Sequence, residues 1–180
     1  AGTVDPGAPT LPPGDGYVGS GHCIGCHGGV YASYQGTPHA RGLRTVGRPG
    51  VTGSALAADS DGDGRDDFRE GLDLASTPAF AAYGAAAPRL SFAKGDPGTW
   101  TVTIGGVAYE VVQVYGGSLR EDYLLGVGGS LYPAPMEWDA AARAWLPLEA
   151  STWYAGTAPR FATAAAAAAG IDRSLSAERR

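Results

Sequence analysis

The run Cys23-Ile24-Gly25-Cys26-His27 constrains this chain more than any other, because it holds both of the cysteines. A C-x-x-C-H run is the attachment signature of a c-type haem. Each thiol can form a thioether with one vinyl group, and the adjacent imidazole then reaches the iron. A chain organised around such a group does not depend on an apolar core alone. Two other readings compete. As half of a zinc site the run would need a further ligand, and only His22 and His39 offer soft donors beyond it. A disulfide or thioredoxin-like redox pair would sit in a βαβ frame, whereas these flanks are glycine-rich. Covalent haem, one per chain, is the expectation that all five positions and their flanks share.

The rest of the composition suits a loop-rich globule. Among 180 residues there are 29 glycines and 13 prolines, near the level at which a regular fold becomes doubtful. Yet 44% are hydrophobic and 17% charged, too apolar for a disordered chain. Net charge is -5, and Lys94 is the only lysine among the 13 basic residues. With no basic stripe, nucleic acid is not an expected partner. No apolar run reaches the length of a membrane span. Covalent haem attachment takes place outside the cytoplasmic membrane, so an extracytoplasmic location, periplasmic or extracellular, is expected. The opening Ala1-Gly2-Thr3-Val4 reads as a mature, processed start.

Four segments follow from the local grammar. Residues 1–19 form a Pro/Gly-rich arm without apolar periodicity, expected to be extended. Residues 20–99 carry the haem-binding segment, with a short helix around Val30–Gln35, then an acidic loop and another short helix at Ala79–Ala87. Residues 100–150 switch to strand patterns. Thr101–Ile104 and Val107–Tyr115 flank Gly105-Gly106 as a hairpin. Further strands are expected at Asp122–Leu125, Leu131–Tyr132, Met136–Trp138 and Trp145–Leu148, with turns at Gly128-Gly129 and Asp139–Ala142. Residues 151–180 hold a C-terminal helix, beginning near Pro159 and ending before Gly170, and a tail. The fold class is α+β, loop-rich, with a small antiparallel β-meander.

Two stretches carry a family resemblance. Tyr17-Val18-Gly19-Ser20, the C-x-x-C-H run and Tyr34-Gln35-Gly36-Thr37-Pro38-His39-Ala40 resemble the first haem module of the multihaem c-type cytochromes related to the electron carriers of ammonia oxidisers. Tyr123-Leu124-Leu125, Gly129, Leu131-Tyr132, Pro135, Trp138-Asp139 and Trp145 resemble the β-meander of relatives. The resemblance implies electron transfer and makes His39 an axial haem ligand, although in multihaem relatives such a histidine often serves a different haem. This chain departs from the family in having one C-x-x-C-H run where relatives carry several.

His27 is the proximal ligand by motif. The sixth position falls to His39, His22, Met136, a small molecule or a residue of another chain. His39 follows His27 by twelve residues, enough for a short helix and a turn; its bland alternative is an exposed loop histidine. His22 is tethered beside Cys23, so it suits a neighbouring haem or an inter-subunit contact better than the far face of its own; a structural role is the simpler reading. Met136 lies in a strand pattern and reads as core. Two imidazoles would give a low-potential electron-transfer haem, whereas methionine would raise the potential.

A second motif, Asp59-Ser60-Asp61-Gly62-Asp63-Gly64-Arg65-Asp66-Asp67-Phe68-Arg69-Glu70, has the spacing of an EF-hand-type calcium loop. Asp59, Asp61, Asp63, Asp67 and Glu70 supply carboxylates, Arg65 a carbonyl, and Gly64 the sharp turn. Asp66 stands where paired EF-hands carry an aliphatic, so a solitary structural calcium loop is expected. The alternative is a merely solvated acidic loop.

The four tryptophans fit core or haem-pocket packing and define no catalytic constellation. The chain is therefore expected to be an electron-transfer protein rather than an enzyme. An open sixth position would instead suit a haem peroxidase or sensor. Partners would be redox proteins or copies of the chain itself. A Pro/Gly arm gains order by lying along a neighbour, and haems must approach one another for fast transfer, so an extracellular filament is one arrangement. A soluble monomeric shuttle is the other.

Overall fold

The structure, a computed structural model, describes residues 20–37, 40, 42–46, 59–93, 99–116 and 119–178. The arm expected over 1–19 and the terminal Arg179-Arg180 lie outside them. The chain forms two units, Ala1–Arg41 and Gly42–Arg180.

In the first unit a 3-10 turn over Ser20–Cys23 runs into helix α1, Ile24–Gln35. The expected helix at Val30–Gln35 thus begins earlier, inside the cysteine motif. At His27 the backbone leaves helical geometry (φ -124°, ψ 34°), dividing α1 in two. Gly25, Gly28 and Gly29 crowd this stretch, and glycine weakens a helix by about 1 kcal/mol relative to alanine. None of the α1 residues is buried within the chain.

The second unit is built on an antiparallel sheet of seven strands. These are β1 (Leu43–Thr45), β2 (Arg89–Ala93), β3 (Thr99–Ile104), β4 (Val107–Gly116), β5 (Arg120–Val127), β6 (Ser130–Asp139) and β7 (Ala144–Pro147). Strands β2 to β7 lie in sequence order, and β1 pairs with the far half of β4. The mixture of short helices and antiparallel sheet matches an α+β chain, but the sheet is larger than a small meander. The hairpin between β3 and β4 turns at Gly105 and Gly106, both at positive φ (57° and 84°), as a primed two-residue turn requires.

Two sequence expectations are corrected. Leu131–Tyr132 and Met136–Trp138 belong to one strand, β6, which runs through Pro133 and Pro135. The register with β5 jumps there, from Asp122↔Glu137 to Leu124↔Pro133. A bulge accommodates prolines that cannot donate to a regular ladder. The C-terminal helix, α4, spans Ala164–Glu178 and passes through Gly170 instead of ending before it. Gly170 is there for packing: a Cβ would lie 2.5 Å from the Phe161 ring. Strand β2, with Leu90 fully buried, was not expected from the sequence at all.

Alternation puts one face of the sheet inward. Trp100, Val102 and Ile104 of β3, Tyr109, Val111 and Val114 of β4, and Tyr123, Leu125 and Val127 of β5 are all buried. Tyr132, Met136, Trp138 and Trp145 continue this core. Phe68 and Leu74, with Phe80 from the 3-10 helix Pro78–Ala86, close over it. Trp153 of the short helix α3 (Ala150–Trp153) and Ala167 and Ile171 of α4 complete the cover. Burial of four tryptophans supplies much of the driving force, since each removes a large apolar area from water.

Candidate functional site

The C-x-x-C-H run occupies the seam between the 3-10 turn and α1. Cys26 is a free, exposed thiol, and His22 and His27 are exposed as well. Among the described residues, a Cβ placed on Gly21, Gly25, Gly28 or Gly29 would meet nothing within 4 Å. Ile24, Val30 and Tyr34 expose apolar surface on the same helix. Apolar side chains exposed together on one helix offer a surface for a further group to pack against. Just beyond the helix, Thr37 Oγ1 donates to the Tyr34 carbonyl (2.6 Å) and accepts from the Ala40 N–H (3.4 Å). His39 lies outside the described residues, so the sixth-ligand assignment is not placed by the fold. Met136 is fully buried in the sheet core.

The loop Asp59–Glu70 folds inward on itself in the second unit. Asp59 accepts the N–H of Gly62 on Oδ1 (2.7 Å) and that of Gly64 on Oδ2 (2.9 Å). Asp61 and Asp63 each accept the N–H two residues on, from Asp63 and Arg65. Gly62 and Gly64 hold positive φ of 80° and 88°, the conformation that winds the loop so tightly. Two carboxylate groupings result, Asp59 with Asp61 and Asp67, and Asp61 with Asp63 and Glu70, the oxygens within each lying within 4.8 Å. Burial pushes Asp59 upward, but the N–H groups of Gly64, Gly62 and Asp63 and the Asp61 side chain outweigh it and hold the carboxyl below its usual range.

Asp67 differs from its neighbours. It is 0% exposed, and its Oδ2 accepts the Trp145 indole N–H at 3.0 Å. The Ser60 N–H lies 3.1 and 3.2 Å from its two oxygens. Burial raises its pKa, and these donors only partly counter that. Asp66 caps the short helix α2 (Asp67–Glu70) by accepting from Phe68 and Arg69. Phe68 then enters the core, its ring 5.1 Å from Trp100 and 5.4 Å from Tyr123. The loop is thereby clamped at its C-terminal end to the sheet. Glu70 pairs with Arg65 at 3.2 Å, and the Arg65 side chain is 74% exposed. So exposed a pair is worth little, and a cation could replace the guanidinium at small cost.

The loop offers hard oxygens at alternate positions, with one buried anion that would benefit from a counter-charge, a chemistry that suits a hard cation. Sequence reasoning found the carboxylates by their spacing. It did not find Trp145, which stands 78 residues from Asp67 and carries no local signal of the contact. Among the described residues, these acidic groupings are the ones that bring three potential metal ligands together. Among the described residues no helix is long and apolar enough to cross a membrane. No family model, curated protein or solved structure matches the chain.

Proposed function

We propose that the chain is an extracytoplasmic c-type cytochrome that transfers electrons through one covalently held haem. Calcium braces its acidic loop. The observation that carries the reading is the Cys23–His27 run on a kinked, glycine-rich helix that buries none of its own side chains. The thiols of Cys23 and Cys26 would each add S–H across a vinyl double bond, a step that loses no atom and needs no oxidant. His27 would ligate the iron, and His39 would complete the pair. In the loop, Asp59, Asp61, Asp63, Asp67 and Glu70 with the Arg65 carbonyl would hold the calcium.

The direct test is expression alongside a haem-attachment apparatus in an exporting host. The purified chain is expected to retain one haem per chain through acidified organic extraction. Replacing Cys23 and Cys26 together by serine should make the haem extractable. Recovery of the native chain without haem overturns the proposal. Electron microscopy of the haem-loaded material separates a homopolymeric filament from a monomeric shuttle.

A further inference from the structure

We propose that Glu137 keeps its carboxyl proton and donates it to Asp122 across β5 and β6, forming a pH-sensitive clasp on the face of the sheet opposite Tyr123. The two residues are direct partners in the antiparallel register. Glu137 is 6% exposed, and Oδ1 of Asp122 is buried with no hydrogen-bond partner among the described residues. As direct cross-strand partners the two side chains leave β5 and β6 on the same face, at a spacing over which such pairs interact. Two ionised carboxylates possess only acceptors, so Asp122 Oδ1 gains a donor from this pair only if Glu137 keeps its proton.

The surroundings favour keeping that proton. On β5, Arg120 donates from Nη1 to Glu137 Oε1 at 2.7 Å, and its Nε lies 3.8 Å from Asp139 Oδ2. One guanidinium thus serves two carboxylates and leaves Asp122 unserved. Tyr115 of β4 stands opposite Asp122, while β7 places Leu146 and Ala144 opposite Glu137 and Asp139, with no charge. On β1, Leu43 stands opposite Tyr115. Glu121 is turned to the other face, where the Tyr123 hydroxyl donates to it. Fully ionised, the face would hold three carboxylates against one cation.

Burial, aided by Asp122 and Asp139, pushes the Glu137 carboxyl above the ordinary glutamate range despite Arg120. A carboxyl raised in the folded state stabilises the fold below its unfolded pKa. That contribution is lost as the pH rises through the folded value. The clasp is therefore tight in acid and opens as the pH rises through the Glu137 titration.

A carbon-13 NMR titration of the Glu137 carboxyl in the full-length chain tests this, together with urea unfolding across the same pH range. The expected midpoint lies above the ordinary glutamate range. Over the titration the unfolding constant should rise by up to about tenfold per pH unit. Asp122→Asn can donate to an ionised Glu137, so it should return the midpoint to the ordinary range and flatten the stability profile. A wild-type midpoint in the ordinary range overturns the proposal. An Asp122→Asn profile parallel to the wild type also overturns it, and if that variant does not fold, the wild-type titration alone decides.

Discussion

The indole N–H of Trp145 donates to the carboxylate of Asp67 at 3.0 Å, joining strand β7 to the last carboxylate of the acidic loop before Glu70. Through this bond the sheet core and the candidate calcium loop hold each other in place. Trp145 also packs against Trp138 (5.3 Å) and Tyr123 (5.5 Å), so the donor cannot swing away.

Trp145→Phe keeps most of the ring packing and removes the donor. The buried Asp67 then loses a partner, at an expected cost of about 1–3 kcal/mol in unfolding free energy. Because burial already raises the Asp67 pKa, the loss should be largest near neutral pH and shrink as acid protonates the carboxyl. Urea unfolding of both chains at several pH values measures it. An equal loss at every pH would sever the effect from Asp67.

Calcium should stabilise the chain by mass action, by about 2.7 kcal/mol at roughly a hundredfold excess over Kd. Chelation should lower the melting temperature accordingly. Glu70→Ala with Asp61→Ala should abolish the response. Trp145 lies against Asp67, so tryptophan fluorescence is expected to report the same titration. Identical melting curves with calcium and with chelator would refute a bound ion.

In the haem-loaded chain, His39→Ala should convert a low-spin spectrum to one that is high-spin or binds carbon monoxide. If the variant keeps a six-coordinate histidine spectrum, another residue completes the iron. If the unaltered chain already binds carbon monoxide, the sixth position is open, and a peroxidase or sensor becomes the better reading.

Gly116, at the end of β4, has φ 90°, and a Cβ there would collide with the Arg120 carbonyl. Gly116→Ala should therefore cost about 2–6 kcal/mol, combining backbone strain with a steric clash. Gly129→Ala is the control. It has φ 85° but open space around it, so only the left-handed penalty of about 1–2 kcal/mol applies. Thermal melts of the two variants separate the terms.

Local chemistry made several features readable in the sequence. The acidic loop was legible because ligand positions in a loop are set by spacing along the chain, and its carboxylates gather in two groups of three, Asp59 with Asp61 and Asp67, and Asp61 with Asp63 and Glu70. The β3–β4 hairpin was legible because period-two burial and two glycines at positive φ are both local signals. What only the tertiary structure decided were matters of partner and fit. Gly170 reads as a helix stop until Phe161 is seen occupying the place of its side chain. Pro133 and Pro135 suggest a break until β5 shows them absorbed in a bulge. Asp67 reads as one ligand among several until Trp145, 78 residues on, buries it and supplies its hydrogen bond. The physical reason is common to all three. Backbone preference and ligand spacing act between neighbours in the chain, whereas burial and pairing depend on which distant strand arrives at the contact.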